Sequence, residues 1–480
     1  MTDLQDYPGW FHSDSEKLNR VWYAGAYTNQ LCSLDPSTGN ALGVPGTDWY
    51  YNASISNSTS VLSDGAKRDR LVWPGDVAIS GPTMCKHFAR GRDGRKNNGI
   101  DSLFILQQID GRLPWAGVPF TRPDRFPFSF TYHLYTFLDL YYYYIFTGEV
   151  DFVQQFWNQY KLAMNWSLST IDSSNLATVT STNDWLRSGM GGHNIEANAI
   201  LYHTLSMSLV LASAANDSSV VQTYQSAMAR IKTVANERLW DPAQHLFFDN
   251  ETIQTPESTA LKRFATHSKR VGAPAPEAGP TVSPFVTGFE IQAHYLAGHA
   301  AYAVELMEFM WADFMLDDPR MTNSSLIEGY STNGDLHYAP YDSDARISYA
   351  HGWATGPTSA LTSYAADLRV DTGAGKKWTI QLRLGGLKNV DAGFETPLGG
   401  FSVDWRVESS GALKGDIGSP RDTRGTLILP QGSVVRGAHG RLRPSRCADG
   451  SDMYEDVAGG RYRVKCIQDG GRLGSGDERM

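Results

Sequence analysis

The sequence predicts a mainly helical fold: an (α/α)6 barrel followed by a small C-terminal β-sandwich. Three observations predict it. About a dozen segments with helical apolar periodicity follow one another up to residue 368. Short polar loops separate them, as hairpins of antiparallel helices require, and several are apolar on more than one face, as in helices packed in two concentric layers. At about Val370 the apolar period changes to two, the signature of strands. An irregular helical array is the alternative. No repeat of fixed period supports a solenoid.

The first helix is expected from about Ser15 to Leu31, where Leu18, Val21, Trp22 and Ala26 form an apolar stripe and Ser13 or Ser15 supplies a cap. A Gly/Ser/Asn-rich loop from Pro36 to Ser63 precedes a charged stretch, and a helix follows from Val77 to Arg90. Further helices are expected at Asp101–Gln108, Phe130–Thr147, Asp151–Thr170, Asn194–Ala215, Ser219–Leu239, Ser258–Thr266, Phe285–Ala297, Ala300–Leu316 and Ala350–Leu368, with a short one near Ser325. KKWTIQLRL, FSVDWRVES and TRGTLILPQGSVVRG read as strands. The expected domains are a barrel over 1–368, a sandwich over 369–437 and an irregular, Gly/Arg/Asp-rich tail over 438–480.

Composition narrows the function. The 480 residues are 41% hydrophobic and 19% charged, which is ordinary globular composition. A net charge of −9 argues against a nucleic-acid partner, which would leave a basic footprint. No run of about 18 uninterrupted apolar residues exists to span a membrane. The start, MTDLQDYPGWF, shows no signal peptide. Six N-x-[ST] sequons, at Asn52, Asn57, Asn165, Asn216, Asn250 and Asn323, nevertheless favour secretion, with a leader upstream of Met1. Cys32, Cys85, Cys447 and Cys466 fit no zinc motif, and no metal or cofactor is expected; Cys447 and Cys466 are candidates to pair in the tail, against the alternative of four free thiols.

The stretch Asp64–Asp76, DGAKRDRLVWPGD, holds three acids, three bases and one Trp. Carboxyl groups beside an aromatic plane suit a carbohydrate: one donates a proton, others hold hydroxyls, and the ring stacks on a sugar face. Arg68 offers a fork of donors, and Trp73 the stacking plane. Glycoside hydrolysis needs a second carboxylate from elsewhere. Glu328 in SSLIEGYSTNGD is the best candidate, with His351 and Trp353 in YAHGWATGPTSAL and Asp184 and Trp185 in TNDWLRSGMGG as further ones. Taken singly, an Asp–Trp pair is more often a cap beside a packing residue, a Glu before Gly a solvated helix end, and a lone His a satisfied histidine. The charged stretch itself has a structural alternative, a salt-bridged loop.

In combination these segments resemble the α-L-rhamnosidases of glycoside hydrolase family 78, especially fungal members. The family motif D-C-P-x-R-E-R-x-G-W-T-G-D aligns without a gap on Asp64 to Asp76. EANAILYHTL, SPFVTGFE, SLIEGYS and SYAHGWATGPT match further segments in order, and the resemblance covers roughly residues 8–435. It implies Asp69 as general acid, Glu328 as the base that activates water for inversion, and Asp64, Arg68, Trp73 and Asp76 as rhamnose-holding positions. It also implies Trp185 as an aromatic wall and His351 as a histidine near the base. Three departures stand out. Asp69 replaces the usual Glu, shortening the reach by about 1.5 Å. Val72 and Pro74 replace the usual Gly and Thr around the Trp. The chain begins where the family's helical domain begins, without the usual N-terminal β-domains. The expected function is release of terminal α-L-rhamnose, the partner a carbohydrate substrate. Another inverting exo-glycosidase on the same barrel and a non-catalytic sugar-binding relative are the alternatives.

Overall fold

The computed structural model describes residues 3–40, 50–88, 99–181, 183–185, 191–243, 246–253, 271–272, 274 and 278–466. Residue spacing decides which helices lie inside. Phe130–Thr147 is buried without a break from Phe130 to Leu140, as a helix enclosed on all sides must be. Ser129 caps its start by accepting from the Tyr132 N–H, and Gly148 ends it at φ 70°, a left-handed position that carries no Cβ penalty for glycine. Val150–Ser169 instead buries a single stripe, Val153, Phe156, Trp157, Tyr160, Ala163 and Met164, and keeps a polar face for water.

Pro74–Phe88, Phe130–Thr147 and Ile195–Ala214 pack successively as neighbours. Pro284–Leu296 packs on the helical stretch Gly352–Ala360, which returns to Pro74–Phe88. Glu16–Cys32, Val150–Ser169, Val221–Arg238 and Ala300–Leu306 lie against this ring from outside. The result is the expected (α/α)6 barrel. Ile195–Ala214 is long and apolar enough to cross a membrane; here its Ala197, Leu201, Leu205 and Leu211 are buried within the protein.

Most expected helices are present within a few residues, and Ser258–Thr266 lies outside the described residues. No helix forms near Ser325. There the Leu326 carbonyl and the Glu328 N–H are used by the backbone of His351 and Ser348 (both 2.9 Å), and Tyr330–Ser331 pairs with Thr281–Val282 as a short ladder. Ala300–Leu316 is continuous, with π-type hydrogen bonding over Met307–Leu316.

The sandwich is larger than the sequence pattern shows. Its seven-stranded sheet runs in the order Trp10–Ser13, Asn389–Thr396, Gly399–Val407, Leu413–Gly418, Arg461–Cys466, Val434–Gly437, Gly440–Arg441. The five-stranded sheet runs Ser445–Arg446, Asp452–Ala458, Arg424–Leu429, Lys377–Gln381, Arg369–Val370. Residues 440–466 are therefore not an irregular tail, contrary to expectation. Arg461–Cys466 fills the gap between two other strands, and Asp452–Ala458 pairs with Arg424–Leu429. Their outward Arg461, Arg463 and Lys465 supply the charge that masks the alternation, while Tyr454, Val457, Val464 and Cys466 are buried. The N-terminal strand Trp10–Ser13 also crosses the expected boundary, pairing with Asn389–Thr396. Cys32, Cys447 and Cys466 are free thiols, so Cys447 and Cys466 do not pair; the Cys466 thiol lies 3.4 Å from the Gln431 carbonyl oxygen.

Val464 is 1% exposed in the middle of the seven-stranded sheet. Val464→Asp leaves a carboxylate there without a partner. Urea denaturation is expected to show a loss of roughly 3 kcal/mol or more. A change within about 0.5 kcal/mol, the usual value for a surface site, would contradict this placement.

Candidate active site

Three segments distant in sequence run side by side at one end of the barrel helices. The Ala66 N–H donates to Ala350 O (3.0 Å), Gly352 N–H to Asp64 O (2.6 Å), His351 N–H to Leu326 O (2.9 Å) and Glu328 N–H to Ser348 O (2.9 Å). The lacing needs glycine at 65. A Cβ there would lie 2.3 Å from Arg68 O and 2.9 Å from His351 Nδ1.

The loop from Asp64 to Leu71 folds around a carboxylate. Asp64 Oδ1 accepts from the Leu71 N–H (2.9 Å), and Oδ2 accepts from the Asp69 N–H. Arg70, at φ 62°, ties the loop to Thr38 O (2.9 Å), Thr38 Oγ1 (2.7 Å) and Ala66 O (2.7 Å). Asp64 is thus the staple that presents Asp69. Arg68 is buried and forms an ion pair with Asp69 Oδ1. Its guanidinium carbon lies 4.9 Å from the Tyr341 ring centroid, and its Nη1 has no hydrogen-bond partner among the described residues.

Glu328 stands on the adjoining segment, 1% exposed. Its Oε2 accepts from the Ser348 N–H (2.9 Å), and its Oε1 accepts from the Tyr341 hydroxyl. Trp353 Nε1–H donates to the Glu328 carbonyl (2.8 Å), fixing the backbone beneath the side chain. His351 lies between two acids: Nε2 shares a proton with Asp76 Oδ1 across 3.0 Å, and Nδ1 is 4.0 Å from Glu328 Oε2. Asp76 occupies the first turn of Pro74–Phe88, where unpaired backbone N–H groups favour a carboxylate.

These groups face one small cavity, lined by Asp64, Asp69, Trp73, Asp76 and Tyr132 and by Trp185, Glu328, Tyr341, His351 and Trp353. Of the eight residues to which the family resemblance gives a role, seven line it, as does Trp353, and Arg68 stands behind Asp69. Asp184 does not line it and accepts from Thr131 Oγ1 (2.7 Å). Trp73 meets Trp115 and Tyr132 edge-on at 6.2 and 6.1 Å, and its Nε1–H has no partner among the described residues. Tyr132 and Tyr341 escaped the sequence reading. Tyr132 lies on a helix that looks like plain core, and Tyr341 sits in YAPYDSD with no local signal.

Crowded carboxyl groups in a dry site hold protons strongly. Burial pushes Asp64 up to about 7, with the nearby Asp69 adding to it. Burial likewise raises Glu328 to about 7, against the opposing pull of His351, the Tyr341 hydroxyl and the Ser348 N–H. Asp69 is raised by burial despite the Arg68 cation, and Asp76 is raised well above the carboxylate range by burial and then by Asp69. One small cavity therefore gathers four carboxyl groups that all hold their protons more tightly than ordinary side chains. Among the described residues no group of His, Cys, Asp and Glu is arranged to hold a metal ion.

Two family models match the chain. One, described as the bacterial alpha-L-rhamnosidase 6 hairpin glycosidase domain, matches residues 48–266; the other, the bacterial alpha-L-rhamnosidase C-terminal domain, matches 369–442. Among solved structures, the alpha-L-rhamnosidase from Dictyoglumus thermophilum superposes with a TM-score of 0.69 at 13% identity, covering 96% of this chain and 50% of that one. The family 78 rhamnosidase of Bacillus sp. GL1 gives 0.63 at 17% identity, with 88% and 43% covered. The Streptomyces avermitilis alpha-L-rhamnosidase complexed with L-rhamnose gives 0.61 at 13%, with 96% and 42% covered. At these identities the superpositions show the fold, and the chain spans half or less of the length of each of these three. No curated protein sequence matches.

The raised carboxyl groups link stability to pH. Glu328 and Asp64 titrate near 7 in the fold, against 4.5 and 3.8 as ordinary side chains. The folded state holds these protons more tightly, so their contribution is complete below about pH 4 and is lost as pH rises towards 7. Melting temperature is expected to fall between about pH 5 and about pH 7.5, and Glu328→Gln to make that fall shallower. A rise over this window, or an unchanged slope in the variant, would contradict the assignment.

Proposed function

Because the chain belongs to the α-L-rhamnosidase family of six-hairpin glycosidases, we propose that it hydrolyses a terminal α-L-rhamnoside of a plant glycoside or polysaccharide, with inversion. The observation that carries this reading is that Asp69 and Glu328 line one cavity and reach it from separate segments.

Asp69, whose proton burial holds more tightly, donates to the glycosidic oxygen as the bond to the anomeric carbon breaks. Glu328, whose ionised form is favoured by the Ser348 N–H and the Tyr341 hydroxyl against the opposing effect of burial, takes a proton from the attacking water. An inverting pair stands roughly 6.5–9.5 Å apart, leaving room for that water. Arg68 Nη2 lies against Asp69 Oδ1 and positions the shortened acid, and its unused Nη1 suits a sugar hydroxyl. Trp73 offers a second vacant N–H, and Trp185 a wall. His351 stands between Asp76 and Glu328, with Nε2 on Asp76 Oδ1 and Nδ1 facing Glu328.

We also place the protein outside the cell as a glycoprotein. Asn52, Asn57, Asn165, Asn216 and Asn323 are exposed. Asn250 is buried, its amide donating to Gly191 O (3.2 Å), and takes no glycan in the fold.

Turnover of an aryl α-L-rhamnoside tests the reading. Asp69→Asn and Glu328→Gln are each expected to lower kcat/KM by about 10²–10⁴-fold while rhamnose still binds. An unmutated protein that binds rhamnose but turns over no aryl glycoside would instead be a sugar-binding relative that has lost its acid.

A further inference from the structure

We infer that Tyr341 is the positioning residue of the site: its hydroxyl aims and restrains the Glu328 carboxylate, and its ring couples that carboxylate through Arg68 to Asp69. This rests on the reading of Glu328 as the base.

The carboxylate has two oxygens and two described donors. One is the Ser348 N–H on Oε2 at 2.9 Å, fixed in the backbone; the other is the Tyr341 O–H on Oε1. His351 Nδ1, at 4.0 Å, is beyond hydrogen-bond reach. Of the two side chains beside Glu328, only the phenol bonds to it. Two donors on two oxygens define the carboxylate plane and leave its remaining lone pairs for water in the cavity, which Tyr341 also lines.

The ring is itself held. Tyr338 meets it at 5.2 Å and 68°, Trp185 at 5.9 Å and 42°, and the Tyr341 N–H donates to Tyr338 O (2.9 Å). Arg68 lies over the ring at 4.9 Å and pairs with Asp69. A guanidinium over a phenol face draws electron density from the ring and makes its O–H a stronger donor. Asp69, Arg68, Tyr341 and Glu328 thus form one continuous chain of contacts.

The chain times the two proton transfers. When Asp69 gives its proton to the leaving oxygen it becomes an anion and neutralises Arg68. The pull on the phenol weakens, and with it the hold on Glu328, at the moment Glu328 must accept a proton from water. Tyr341 keeps its own proton throughout. Net, the glycosidic C–O bond breaks, a C–OH bond forms, one proton leaves Asp69 for the aglycone and one passes from water to Glu328.

Tyr341→Phe removes the hydroxyl and keeps the ring on Arg68 and Trp185. The acidic limb of the kcat/KM profile is expected to move up by roughly one pH unit, the size a hydrogen bond to the charged form supplies. The ¹³C-labelled Glu328 carboxyl, assigned with Glu328→Gln and followed by infrared titration, should move by the same amount. Fluorotyrosine at 341, a stronger donor with the same packing, should shift both downward. A merely structural role would lower kcat without moving either. The inference is overturned if Tyr341→Phe melts as the parent does and neither midpoint moves. If the parent hydrolyses no rhamnoside, the proposed reaction fails, and the infrared titration alone decides the tie between Tyr341 and Glu328: a shift supports it and no shift overturns it.

Discussion

Four carboxyl groups share a cavity that little water reaches, and the rest of the site answers that constraint. Asp64, Asp69, Asp76 and Glu328 all line it. In such a medium four bare negative charges repel strongly. The structure spreads the load over different partners: backbone N–H groups for Asp64, a guanidinium for Asp69, an imidazole for Asp76, and a backbone N–H with a phenol for Glu328. What these do not offset is taken up by bound protons. That is how groups of one chemical kind come to differ in role.

The partners arrive from far apart in the chain, so the barrel must bring their loops together. Inner helices such as Phe130–Thr147, buried on nearly every face, set the ring; the loops at one end carry the chemistry. Three of those loops are tied edge to edge by backbone hydrogen bonds rather than by side chains alone. Backbone ties hold a site more closely than flexible side chains, because fewer rotatable bonds lie between scaffold and functional atom. The crossing at Gly65 leaves no room for a Cβ.

Much of this was legible in the sequence, for identifiable reasons. Phe130–Thr147 carries an apolar run bounded by Ser129 and Gly148, so its ends could be read directly. The stretch from Asp64 to Asp76 advertises itself by charge density. Other parts leave no local trace. Arg461–Cys466 buries two residues and points three cations outward, so its alternation reads as a polar tail until its neighbours are in place. The segment at Ser325 reads as helix because pairing with residues 348–351 is invisible locally. Asp64 reads as one more sugar-holding acid, whereas both its oxygens are engaged by the loop's own N–H groups. Tyr341 acquires meaning only from Arg68 and Glu328, residues that lie far from it or on another loop.

The central claim is that Asp69 and Glu328 act on opposite faces of one anomeric carbon with water between the sugar and Glu328. The anomer released first from an α-L-rhamnoside, followed by proton NMR before mutarotation, reports this most directly. The account predicts β-L-rhamnose as the initial product. Initial α-L-rhamnose would mean retention, and would contradict the division of roles between the two carboxyl groups.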